Sequence, residues 1–217
     1  MNTDQARFNM IEQQIRPWDV LDPEVLDLLA RVRREDFVPD AHRALAFVDT
    51  EVPLPGGQCM LPPRLEARLL QELTVKKHDR ALEVGAGSGF MAALLAGMAK
   101  EVHTVERLPE LVAMARAHLQ AAGVRNANVH AGDGSAGLLA EGPFDVIALS
   151  GSVAEVPRTL LDQLRVGGRL VAIVGEEPVM RAVLITRASE NGFKREELFD
   201  TIAPRLVGFP EPSRFQF

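Results

Sequence analysis

The sequence predicts an α/β protein: a Rossmann-like, mostly parallel, doubly wound sheet carrying an N-terminal helical extension. Three observations carry that prediction. From Arg80 onward, apolar strand-like runs alternate with stretches of helical spacing, the pattern of a parallel sheet with helices on both faces. The first of those runs, Ala81-Leu82-Glu83-Val84, enters a glycine-rich turn, Gly85-Ala86-Gly87-Ser88-Gly89, and then a helical stretch from Met91 to Met98. Residues before Arg80 show helical spacing without that alternation.

In the extension, residues 1–79, Asp22-Pro23 offers a helix cap and a first-turn proline, and Val25, Leu26, Leu28, Leu29 and Val32 supply an apolar face. The segment from Val52 to Gly57 holds two prolines and two glycines and reads as loop. Helical spacing returns from Pro62 to Leu73, with Leu65, Leu69, Leu70 and Leu73 inward. In the second part, residues 80–217, strands are expected near 80–84, 101–105, 127–131, 144–150 and 168–175. Two further β-like runs, Met180 to Arg187 and Glu197 to Val207, close the chain. The two parts are expected to form one compact domain, without internal repeats or low-complexity tracts.

A chain of 217 residues buries a substantial core. A formal charge of −6 argues against tight, non-specific binding of nucleic acid. The single cysteine, Cys59, rules out an intramolecular disulfide and fits a reducing compartment. The start, Met1-Asn2-Thr3-Asp4-Gln5, lacks the basic and apolar regions of a signal peptide. No apolar run approaches the ~20 residues that span a bilayer. These readings point to a cytoplasmic enzyme that binds neither membrane nor nucleic acid.

The turn after the first strand also carries chemistry. Its glycines let the backbone bend sharply and let a ligand approach closely. Glu83, two positions before Gly85, suits a cationic ligand and would repel a diphosphate. A nicotinamide dinucleotide site usually shows G-x-G-x-x-G, whereas here the third glycine comes one position early. Glu106 lies about 20 residues past the first glycine, the spacing at which an acid meets ribose hydroxyls. Gly132-Asp133-Gly134 follows a third strand-like run, where the aspartate is placed to accept from an adenine amino group. Three such loops converge at the carboxyl edge of a parallel sheet, and together they resemble the S-adenosylmethionine site of class I methyltransferases.

The rest of the chain narrows that resemblance. Glu12-Gln13-Gln14-Ile15-Arg16, Arg34-Glu35-Asp36-Phe37-Val38-Pro39, Ala46-Phe47-Val48-Asp49 and Gly57-Gln58 resemble the N-terminal region of protein-L-isoaspartate O-methyltransferases. The match continues in the same order through Leu82 to Phe90, Val105-Glu106-Arg107, Gly132-Asp133-Gly134, Pro143-Phe144-Asp145, Gln163-Leu164, Gly167-Gly168 and Val174-Gly175. The resemblance implies a class I methyltransferase fold that uses S-adenosylmethionine to methylate the free α-carboxylate of isoaspartyl residues in damaged proteins. It implies cofactor contacts at Glu83, Gly85, Gly87, Ser88, Gly89, Glu106, Arg107, Asp133, Gly134 and Ser150. Asp49, matched with Phe47 as the aromatic of A-Y-x-D, is a second-tier candidate. A loop-capping role before Pro53 explains it equally well.

One departure concerns the acceptor. The family carries G-Q-T-[IV]-S over its active site, and the serine is the residue usually assigned a catalytic role. Here the loop reads Gly57-Gln58-Cys59-Met60-Leu61-Pro62-Pro63, so Leu61 stands at the serine position and Cys59 at the threonine. Ser150-Gly151-Ser152 replaces the usual T-A-A. Leucine offers no hydrogen-bond donor. A carboxylate, with a reference pKa of ~3.9, is nevertheless ionised at neutral pH and needs no general base. A hydroxyl or amine acceptor would need one, and the 57–63 loop supplies no His or carboxylate. Three readings stand open: isoaspartyl methylation at reduced rate, methylation of another acceptor, and non-catalytic binding of S-adenosylmethionine. Cys59 reads as a small apolar filler, because methyl transfer needs no covalent enzyme intermediate. The five histidines, at 42, 78, 103, 118 and 130, lack the paired spacing of a metal site, although His130 lies close to Asp133. Trp18 reads as an anchor of the extension. Oligomeric state is not legible.

Overall fold

The computed structural model describes residues 2–211, so residue 1 and residues 212–217, at the ends of the two predicted parts, lie outside it. Helix α1 (Thr3–Met10) is capped by Asn2, whose side chain accepts from the Asp4 and Gln5 amides. It runs on through a wide turn at Ile11–Ile15 and a tight one at Arg16–Trp18. Helix α2 (Pro23–Arg31) begins where the Asp22 side chain accepts from the Glu24 amide at 2.8 Å, with Pro23 in the first turn. It buries Val25, Leu28 and Leu29, as the spacing predicts. The Val52–Gly57 segment, expected to be loop, is instead half of a small hairpin. Strand β1 (Val52–Pro53) pairs antiparallel with β2 (Cys59–Met60) around a tight turn at Pro55–Gly57. Gly56 and Gly57, at φ 68° and 71°, supply the left-handed conformations that a short reversal demands.

Helix α3 (Pro63–Leu73) follows at once and buries Leu65, Leu69, Leu70 and Leu73. Its polar side clasps the extension: Gln71 accepts from the Leu21 and Asp22 amides and donates to the Asp19 carbonyl, while Arg68 donates to the Trp18 carbonyl. The core then alternates as β3 (Arg80–Val84), α4 (Phe90–Met98), β4 (Glu101–Glu106), α5 (Pro109–Ala121), β5 (Ala127–Ala131), β6 (Phe144–Val153), α6 (Arg158–Leu161) and β7 (Leu164–Glu176). Strands β8 (Val179–Arg187) and β9 (Phe193–Thr201) complete the sheet. The spatial order is β5-β4-β3-β6-β7-β8-β9; β3 to β7 pair in parallel, and β8 is antiparallel to both its neighbours. The chain moves outward from β3 to β5 and returns to β6 on the other side of β3. That reversal opens a crevice beyond the carboxyl ends of β3 and β6.

Alternating residues face two layers. Ala81, Val102, Val146, Ala148, Val171 and Ile173 share a continuous apolar cluster with α2 to α5 and with Met10, Ile11 and Ile15 of the extension. Leu82, Val105, Ile147, Leu149, Leu170 and Ala172 face the other layer. There only the four-residue α6 and irregular segments cover the sheet, because residues 132–143 cross from β5 to β6 with a single tight turn at Leu139–Glu141. Helices are therefore concentrated on one face. The last strand also lies elsewhere than 197–207. It begins at Phe193, and its charged run Lys194 to Glu197 suits an exposed sheet edge. Residues 202–206 leave the sheet and turn back to β6, with the Ser152 amide donating to the Pro204 carbonyl and the Leu206 amide to the Ser152 carbonyl, each at 2.8 Å. No described helix is long and apolar enough to cross a membrane.

Candidate functional site

The crevice at the strand reversal holds a cavity of about 220 Å³. Its floor is the turn after β3, where Gly85, Gly87 and Gly89 have φ of 93°, 52° and 88°, values at which a side chain would be strained. Gly89 is also fixed by packing, since a Cβ there would lie 3.2 Å from the Ala115 backbone of α5. One wall comes from the end of β4 (Glu106, Arg107, Leu108), another from Gly132 and Gly134 after β5, and a third from Ser150 of β6. The lid hairpin contributes Gly56, Gln58 and Cys59. Leu206, Val207 and Phe209 close the mouth, a role that a strand running through 207 does not foreshadow.

Each acidic residue has defined partners. Glu106 accepts from the Gly87 amide and the Leu108 amide, each at 3.0 Å, so it braces the glycine turn while lining the cavity. Glu83 is fully buried and accepts from the Thr104 and Ser150 hydroxyls, each at 2.7 Å. Burial pushes its carboxyl up to about 8, against the pull of those two hydroxyls and with the help of the nearby Glu66 and Glu106 charges. Asp133 turns toward its own loop: its carboxylate accepts from the Ser135 amide at 2.9 Å, which holds it below the usual carboxylate range. Gly208 packs against it so closely that a Cβ there would sit 2.6 Å from a carboxylate oxygen. Ser88 is buried, and its carbonyl accepts from His118 Nδ1 at 2.9 Å.

Leu61 lies beside this cavity, lining with Cys59, which borders both spaces, a second, smaller chamber shared with Met60, Glu66, Glu83, Gly87 and Ser150. Leu61 is buried, and its carbonyl accepts from Arg34 at 2.8 Å. Burial, then the neighbouring Glu51, push the Cys59 thiol up to about 12, which leaves it un-ionised and inert. Asp49 lines neither space. It pairs with Arg64 at 2.8 Å, and the Arg64 guanidinium stacks 3.8 Å above the Trp18 ring, so Asp49 and Trp18 both belong to the framework of the extension.

Glu66 is the group that reading the lid alone missed. It belongs to α3, is buried, pairs with Arg34, and faces the small chamber. Burial pushes its carboxyl up to about 7 although Arg34 pulls it down. A signal was present: positions 66, 69, 70 and 73 follow the i, i+3, i+4, i+7 spacing of one helix face, so a glutamate stood on an apolar stripe. Among the described residues, no cluster of three or more His, Cys, Asp or Glu is arranged to hold a metal.

Comparison with known proteins agrees with this layout. Residues 5–203 match the family model described as protein-L-isoaspartate(D-aspartate) O-methyltransferase. A protein-L-isoaspartate O-methyltransferase of Koribacter versatilis (strain Ellin345) is 40% identical over 202 residues, which is 93% of this chain and 90% of that one. One from Rhodopseudomonas palustris (strain ATCC BAA-98 / CGA009) is 40% identical over 210 residues, covering 94% and 96%. Among solved structures, one described as a Plasmodium falciparum protein-L-isoaspartate O-methyltransferase in complex with S-adenosyl-L-homocysteine superposes with a TM-score of 0.79 at 22% identity, covering 94% of this chain and 97% of that one. Another protein-L-isoaspartate O-methyltransferase gives 0.82 at 22% identity, covering 93% and 66%. At that identity the structures speak for the fold, and the sequence matches speak for descent: the chain belongs to the protein-L-isoaspartate(D-aspartate) O-methyltransferase family.

Proposed function

We propose that this protein transfers a methyl group from S-adenosylmethionine to the free carboxylate of isoaspartyl residues in damaged proteins. The observation that carries the reading is the convergence of the glycine turn, Glu106, Gly132 and Gly134 on one cavity beneath the lid hairpin, with Glu83 held behind its Ser150 wall and facing the adjoining chamber. The cavity fits the cofactor's chemistry. Glycine turns leave room for close backbone approach, Glu106 keeps lone pairs for ribose hydroxyls, and Asp133, between the two glycines that line the cavity, is an anion that an adenine amino group would meet by a turn of its side chain. Glu83, buried and held by two hydroxyls, is suited to a ligand ammonium, which would compensate its charge.

When bound, S-adenosylmethionine supplies an electrophilic sulfonium methyl. The protein's part is to align the acceptor and exclude water. Gln58 and Cys59 cover the cavity from the lid, while Leu206, Val207 and Phe209 dry its mouth. An isoaspartyl carboxylate arrives ionised, so no proton has to be removed. Leu61 gives it no hydroxyl, and the Ser150 hydroxyl is already donated to Glu83, so orientation falls to backbone groups near Ser150 to Ser152 and in the lid. A second reading draws on Glu66, a carboxyl poised near neutrality beside the same space, which would accept a proton from a hydroxyl or amine acceptor. Tritiated methyl transfer to an isoaspartyl peptide, with its aspartyl counterpart as control, separates the two. Label on the isoaspartyl peptide alone supports repair, and label on neither refutes it.

A further inference from the structure

Arg34 is 1% exposed, in a tight turn of the extension far along the chain from the cavity. One of its terminal nitrogens donates to the Leu61 carbonyl at 2.8 Å, and the other pairs with Glu66. The guanidinium also lies 5.0 Å from the centre of the Phe90 ring, the first residue after the glycine turn. One cation thus touches the end of the lid, the helix behind the lid and the element beneath the cofactor cavity. Its Nε is buried without a partner. A buried ion pair of this kind stabilises a fold only weakly, because desolvating both charges offsets most of their attraction and apolar side chains of similar size often do as well.

We propose that Arg34 and Glu66 are positioning residues for methyl transfer, a buried clamp that sets the lid by the Leu61 backbone. The inference rests on the proposed use of the cavity for S-adenosylmethionine. Arginine suits the task because its planar fork serves two acceptors at fixed angles, which a lysine ammonium cannot reproduce. The groups facing Glu66 are Arg34, the Cys59 thiol of the lid and the Glu83 carboxyl of β3, which is itself coupled to Glu106. Raising the pH through about 7 ionises Glu66 and tightens its hold on Arg34.

The test compares wild type with Arg34→Lys, Glu66→Gln and the charge-free double variant Arg34→Met/Glu66→Leu. The double variant is expected to keep the fold if either single change does not. S-adenosylhomocysteine affinity is measured by calorimetry, amide exchange is followed at residues 59–61, and kcat and KM are measured on an isoaspartyl peptide. Affinity should fall and lid exchange should quicken by about tenfold in each variant, the effect of one charge-assisted hydrogen bond. Exchange in β3 and β4 should hold, and kcat should fall while the peptide KM stays within about twofold. In wild type, lid exchange corrected for its intrinsic pH dependence should slow as the pH rises through about 7, and Glu66→Gln should abolish that step. A folded double variant with full affinity and undisturbed lid exchange would reduce the pair to ordinary core packing and overturn the proposal. If wild type does not methylate the isoaspartyl peptide, the proposed acceptor fails, while affinity and lid exchange still decide the clamp.

Discussion

Replacing Leu61 by serine tests the acceptor assignment most directly. The leucine is 4% exposed and belongs to the main apolar cluster, so truncating it should cost about 2–5 kcal/mol of stability, the range for emptying a buried leucine site. That is survivable within a total of about 5–15 kcal/mol. The new hydroxyl is not stranded, because Glu66, Glu83 and Ser150 face the chamber it enters. The Leu61 carbonyl keeps its bond to Arg34, since the change spares the backbone. If an isoaspartyl carboxylate docks there, the hydroxyl adds a charge-assisted hydrogen bond of about 1.5–3 kcal/mol, roughly ten- to a hundredfold in rate when it acts in the transition state. The expected result is weak methylation of an isoaspartyl peptide by wild type and a clear rise in kcat/KM for Leu61→Ser despite a lower Tm. Relief of crowding would appear in KM and better alignment in kcat. A folded Leu61→Ser that binds S-adenosylhomocysteine as wild type does, yet methylates no faster, would refute the claim that the acceptor carboxylate lies beside residue 61.

Other outcomes follow from the same geometry. Glu106→Ala should weaken S-adenosylhomocysteine binding by about 1.5–3 kcal/mol, because it removes a ribose acceptor and the brace on the Gly87 and Leu108 amides; equal affinities by calorimetry would take Glu106 out of the site. Glu83 binds its proton more tightly folded than unfolded, so its contribution to apo stability is full below its ordinary value of 4.5 and is lost as the pH rises to about 8. The apo Tm should therefore fall across that window, and Glu83→Gln should flatten the slope. Calorimetry in buffers of different ionisation enthalpy should find proton release on binding S-adenosylhomocysteine near pH 7, since the ligand ammonium favours the ionised carboxyl. Cys59 should react with iodoacetamide far more slowly than a free thiol at pH 8, its own ionisation being pushed up to about 12; rapid labelling would contradict that environment.

Much of the fold was legible because local and tertiary signals agreed. The Asp22-Pro23 cap, the apolar face of α3 and the glycine turn after β3 each have one physical reading, and the structure follows it. Errors gathered where tertiary contacts overrule local pattern. Lys194 to Glu196 is too charged to read as strand until it is seen pairing along β8 at the sheet edge. Local β propensity carries the last strand on through residue 207, yet Arg205 and Leu206 are drawn away to Ser152 and the cavity mouth. Of the site, the loops at the carboxyl ends of β3, β4 and β5 could be placed from spacing alone, since strand order fixes where they meet. Glu66 stood out only as an acid on an apolar stripe; its role was not legible, because it depends on Arg34, separated from it by 32 positions.

That pairing bears on how a site rich in acids can accept a carboxylate. Two bare anions at Glu66 and Glu83 would repel the isoaspartyl group and cost most of its binding. Glu66 avoids this through Arg34, and Glu83 through burial, which keeps it protonated near neutrality until a cation arrives. A ligand ammonium at Glu83 would then neutralise the site and leave the sulfonium as the uncompensated charge facing the acceptor. On this account Arg34 does more than hold the lid. Removing its charge strands Glu66 in a dry chamber, and the carboxyl must either take up a proton or push the acceptor away. Arg34→Met alone should therefore impair methyl transfer to a carboxylate more as the pH rises, whereas Arg34→Met/Glu66→Leu should lose that pH dependence. The two variants share the loss of the lid bond and differ only in the stranded acid, so their difference isolates the electrostatic part.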